Sequence, residues 1–112
     1  MKALLCTAHG EPEDLVLADV PDPEPGPGEV RVEIAAAGVN YPDTLTIRDM
    51  YQFKPELPFA PGGEASGVVV EAGAGAGLPV GTRVIAFLGA SGGFAEQAVI
   101  DACRAVRDLD EQ

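Results

Sequence analysis

The strongest constraint on this chain is alternation. In Glu29-Val30-Arg31-Val32-Glu33-Ile34-Ala35 the apolar Val30, Val32 and Ile34 fall on one face, and Glu29, Arg31 and Glu33 fall on the other. That is the period-two pattern of a half-buried strand. Similar short runs recur at residues 2–7, 15–20, 66–71, 83–87 and 94–100, bounded by Gly, Pro or Asp in stretches such as 21–28, 73–77, 79–81 and 89–93. Short strands with glycine-rich connectors predict a mainly β fold, an antiparallel barrel or sandwich. Only residues 42–50 read as helix. Pro42 suits a first helical turn, Asp43 sits near the positive end of the helix dipole, and Asn40 or Tyr41 takes the cap position. Pro55 and Pro58 forbid any longer helix.

The 112 residues are enough for one small domain with its own core. A formal net charge of −11 argues against nucleic acid and anionic membrane surfaces as partners, because both demand basic surface. Two cysteines, Cys6 and Cys103, are too few for a disulfide scaffold or a thiolate metal site. The apolar run at the N-terminus is broken by Thr7 and His9, too short for a signal-peptide core, and no run reaches membrane-spanning length. A cytoplasmic location is the expectation.

Gly73-Ala74-Gly75-Ala76-Gly77 follows a strand, as a phosphate-binding loop does. Leu78-Pro79-Val80-Gly81 then opens another turn and strand, where the phosphate-binding mechanism requires a helix. A plain connection between strands is the expectation. His9, the single histidine, reads as a surface or packing residue, Cys6 as inert core, and Cys103 as more exposed. Asn40 offers an amide donor and acceptor and Tyr51 a phenol, and both flank the one short helix, so they can face a common cleft. Equally, Asn40 can act only as a helix cap and Tyr51 only as packing under a loop. Glu64, beside Gly62 and Gly63, either orients a ligand or accepts backbone hydrogen bonds at the start of a strand.

The run Gly38-Val39-Asn40-Tyr41-Pro42-Asp43-Thr44-Leu45, then Met50-Tyr51-Gln52-Phe53-Lys54-Pro55, then Leu57-Pro58-Phe59-Ala60-Pro61-Gly62-Gly63-Glu64, resembles the zinc-independent quinone oxidoreductases of the medium-chain dehydrogenase/reductase superfamily. The opening Met1-Lys2-Ala3-Leu4-Leu5, residues 23–32 and Gly81-Thr82-Arg83-Val84 carry the same resemblance, which runs to about Cys103. It implies a GroES-like, partly open β-barrel, the N-terminal catalytic domain of a two-domain reductase. Zinc-dependent relatives place a cysteine where this chain has Asn40 and a histidine where it has Gly63, and their structural-zinc lobe would fall in 88–93. Asn, Gly and Ser cannot replace thiolate or imidazole ligands, so no metal is expected.

By the same resemblance the reaction is hydride transfer from NADPH to a quinone or an α,β-unsaturated carbonyl. Tyr51 and Asn40 would be catalytic. Asn40 and Asp43 would contact the cofactor side, with Asp43 orienting the loop. Tyr41, Gly62, Gly63 and Glu64 would line the substrate cleft. Without zinc, hydrogen bonds from such groups must polarise the carbonyl. A homo-oligomer is compatible with the resemblance.

The family's dinucleotide-binding Rossmann domain is not in these residues, and residues 104–112 drift from the family pattern. Residues 1–112 are therefore expected to be the catalytic domain alone, with weak or no NADPH binding in isolation. The alternative is a stand-alone GroES-like binding or assembly module without catalysis.

Overall fold

The computed structural model describes residues 1–89 and 91–107. The tail residues 108–112, whose drift from the family pattern is noted above, lie outside the described residues. Among the described residues seven strands form two antiparallel sheets. Strands β1 (Lys2–Leu5) and β2 (Val16–Asp19) pair as a ribbon. Strands β3 (Glu29–Ala37), β4 (Glu64–Ala72), β5 (Arg83–Phe87), β6 (Gln97–Asp101) and β7 (Ala105–Arg107) build a five-stranded sheet in the order β6-β3-β4-β5-β7. This sheet curls into a half-barrel, so the expected mainly β, GroES-like partly open barrel with one helix is the fold observed.

Alternation places the core. Val30 and Val32 of β3 are fully buried, and they meet Val69, Val84, Ala86 and Ile100 inside the curl. On β3 the clean alternation ends after Val32. The register shifts at Arg31/Val32 and at Ile34/Ala36, so Ile34 is only half-buried. Such bulges bend a strand, as curling this sheet requires. Gly67 on β4 sits opposite, with its Cα against the Glu33 carbonyl, where any Cβ would collide.

A second, smaller core of Cys6, Ile47 and Phe59 with Leu15 lies beneath the helix α1 (Tyr41–Ile47). Backbone hydrogen bonds exchanged between Cys6 and Phe59, 2.8 and 3.2 Å, tie the end of β1 to the segment before β4. Cys6 is thus the inert core thiol the sequence implied, and burial raises its pKa. Cys103 is exposed.

The helix is shorter than the expected 42–50. It ends at Ile47 because Asp49 adopts a left-handed backbone, φ 59°. The Met50 N–H then returns to the Leu45 carbonyl at 2.8 Å and the Asp49 N–H to that of Thr46 at 3.2 Å, a Schellman closure with Asp where Gly is usual. The stop is therefore local, and the prolines at 55 and 58 play no part in it. Strand β6 starts at Gln97 rather than residue 94, and β7 was not anticipated at all. The 73–77 turn leads through an irregular segment into β5 with no helix, as expected of a plain connection. No helix among the described residues is long and apolar enough to cross a membrane.

Candidate active site

A cleft of about 320 Å³ is lined by Asn40, Pro42, Asp43, Thr46, Tyr51, Gly63, Glu64 and Gly89. Helix α1 and its two flanks make one wall. Asn40 is the N-cap, with extended backbone. Its N–H donates to Asp43 Oδ2 at 2.8 Å, and its carbonyl accepts the Asp43 N–H at 3.0 Å. Asp43 is buried, and this bond is the reason a carboxylate is tolerated there: it satisfies the helix terminus and sits at the positive end of the dipole. The Asn40 side chain is exposed at the cleft mouth. Thr46, one turn on, is buried and donates its hydroxyl to the Pro42 carbonyl at 2.8 Å.

The Schellman closure turns the chain back on itself, so the half-buried Tyr51 reaches the same cleft as Asn40. Its ring packs edge-on to Phe53, with centroids 5.8 Å apart. Lys54 clasps the turn, donating to Asp49 Oδ1 at 2.7 Å and to the Asp49 carbonyl at 3.1 Å. The Lys54 hydrogen bond holds the Asp49 carboxyl below its ordinary pKa. His9 Nε2 stands 3.9 Å from the same carboxylate and does not line the cleft.

The opposite wall is where β4 begins and β5 ends. Their register pairs Glu64 with Phe87, and the Leu88 N–H donates to the Gly63 carbonyl at 2.8 Å. Position 63 has no room for a side chain: a Cβ there would stand 2.5 Å from the Gly89 carbonyl oxygen. Glu64 lies back against Gly38, where an added Cβ would overlap its carboxylate.

Five expected site residues, Asn40, Asp43, Tyr51, Gly63 and Glu64, therefore share one cleft. Tyr41 and Gly62 do not line it. Tyr41 is 74% exposed on the outer side of the helix start, and Gly62, φ 105°, turns the chain against Gly93 and Phe94. Three lining residues, Pro42, Thr46 and Gly89, were not among those expected. Thr46 follows Asp43 at the i+3 spacing that puts both on one helix face, a signal that was available. Gly89 comes in only through the β4–β5 register. A larger groove of about 440 Å³, lined by Ala3, Leu5, Ala98, Ile100 and Arg104 among others, contains none of the expected residues. The smaller cleft is the better candidate because polar groups from three segments converge there. Among the described residues no group of three or more His, Cys, Asp and Glu is placed to hold a metal.

This fold is that of a GroES-like domain. The chain belongs to the alcohol dehydrogenase GroES-like domain family, whose match covers residues 26–110. It is 44% identical over 103 residues to the quinone oxidoreductase-like protein 2 of Rattus norvegicus, a match covering 89% of this chain and 28% of that protein. Among solved structures it superposes on a probable oxidoreductase from Mycobacterium abscessus with a TM-score of 0.90 and 40% identity, over 99% of this chain and 35% of the other. On the Escherichia coli quinone oxidoreductase complexed with NADPH the TM-score is 0.91 at 29% identity, over 100% of this chain and 34% of the other. The resemblance to the medium-chain quinone oxidoreductases thus holds. The chain spans less than a third of the length of these curated relatives.

Proposed function

We propose that this domain forms the substrate side of the reduction cleft in a cytoplasmic, NADPH-dependent and zinc-independent quinone or enone reductase. The observation that carries the reading is the convergence of Asn40, Tyr51 and Glu64 on one cleft, in a fold shared with an NADPH-complexed quinone oxidoreductase.

The described residues fit NADPH only at its nicotinamide end. The 73–77 turn leads to a strand and offers no pyrophosphate cradle, so in this reading the remainder of the cofactor rests on a separate dinucleotide-binding domain. NADPH, when bound, supplies the hydride. Asn40, held by the Asp43 bond, presents an amide able to pair with a carboxamide or a carbonyl. The Tyr51 hydroxyl donates to the acceptor oxygen, where negative charge collects as hydride arrives, and then delivers the proton that balances the reduction. Half exposure lets that proton be replaced from solvent.

Zinc independence rests on the chemistry of positions 40 and 63. Asn40 is a poor zinc ligand, and a ligating side chain at 63 would have to displace the Gly89 carbonyl. The test is an amide chemical-shift titration of the chain with 2-(hydroxymethyl)anthraquinone. Shifts centred on Asn40, Thr46, Tyr51, Gly63 and Gly89 are expected. Shifts centred on the groove of Ala3, Ala98 and Ile100, or none, would reject the reading.

A further inference from the structure

We infer that Glu64 makes this cleft select uncharged acceptors and exclude anionic ones, a specificity role that rests on the reading of the cleft as an acceptor site. The cleft wall carries two carboxylates, Asp43 and Glu64, and no cationic side chain among the described residues. The two differ in availability. Asp43 is buried and turned onto the Asn40 N–H. Glu64 lines the cleft and is only half-buried, so of the two carboxylates it is the one less withdrawn from an incoming ligand.

Its seat is specific. Glu64 opens β4, the next residue Ala65 is buried on the opposite face, and the carboxylate rests where Gly38 leaves out a Cβ. Arg104 approaches one lining residue of the cleft, Gly89. Its Nη1 lies 3.7 Å from where a Gly89 Cβ would be, but the side chain lines the larger groove instead.

An anion a few ångströms from Glu64, in a site partly shielded from water, is repelled far more than the net charge of −11 alone would achieve. Distant surface charges are screened over roughly 8–10 Å at physiological salt, whereas a charge inside the cleft is not.

The experiment is equilibrium dialysis of the chain in 0.15 M salt with two probes of one ring system, neutral 2-(hydroxymethyl)anthraquinone and anionic anthraquinone-2-sulfonate. Neither adds to the exposed Cys103 thiol, so binding is read without covalent capture. The neutral probe is expected to bind at least about tenfold more tightly. Glu64→Gln should bring the two within about threefold, while Glu24→Gln, which removes the same charge from an exposed site elsewhere, should leave the ratio unchanged. In the unaltered chain, 1 M salt should leave most of the ratio in place, because it screens surface charges far more than a charge inside the cleft, and a ratio that collapses in 1 M salt would overturn the inference. Equal binding of the two probes, or a ratio that Glu64→Gln does not change, overturns the inference and leaves the acceptor-site reading standing. Binding of neither probe overturns both.

Discussion

Asp49 shows how one residue can set the geometry of a site it does not enter. Its left-handed backbone ends α1, and its carboxylate takes the Lys54 ammonium, so the turn carrying Tyr51 is closed at both levels. The folded-state pKa of Asp49 is depressed. The clasp therefore contributes above the ordinary Asp value and is lost as pH falls through the lowered one. A carboxyl-detected titration should find Asp49 titrating below an ordinary surface Asp, and Lys54→Met should raise it. An Asp49 that titrates normally beside an intact Lys54 would count against the clasp. Nothing in sequence marked Asp49, since φ above zero is a conformation that Asp tolerates but does not announce.

At the scale of the element, α1 has only seven residues, too few to persist on propensity alone. It depends on the Asp43 cap at one end and on Ile47 packed against Cys6 and Phe59 at the other. Asp43→Ala should cost about 1 kcal/mol in chemical denaturation, since the Asn40 N–H loses its partner. It should also broaden the amide signals of Asn40 and Tyr51, whereas unchanged stability and sharp signals would mean that the cap holds nothing. The start of this helix was legible because Asn40, Pro42 and Asp43 each carry a local preference. Its end was not, because the Schellman closure uses a residue type with no strong signature there. Similarly, Val30 and Val32 announced the inner face of β3, but the bulge that leaves Ile34 half-buried depends on β4 across the sheet. β7 has three residues and one partner strand, too little pattern to see in sequence.

At the scale of the whole molecule, the half-barrel fixes two walls and leaves a cleft between the flanks of α1 and the β4–β5 end. Asn40, Tyr51 and Glu64 could be nominated from sequence because each is a polar residue beside a structural punctuation mark. That they meet, and that Gly63 presses on the Gly89 carbonyl, is a product of strand register and could be seen only in the fold. The chain covers 34% of the Escherichia coli quinone oxidoreductase complexed with NADPH and superposes on it with a TM-score of 0.91, which makes a domain exchange practicable. The most direct measurement is NADPH oxidation by a chimera in which this chain replaces the matched region of that enzyme, with a quinone as acceptor. Quinone-dependent turnover is expected to survive a zinc chelator and to fall by about 100-fold or more in Tyr51→Phe, with folding intact. A folded chimera that binds NADPH without reducing quinone, or turnover indifferent to Tyr51→Phe, would contradict this expectation.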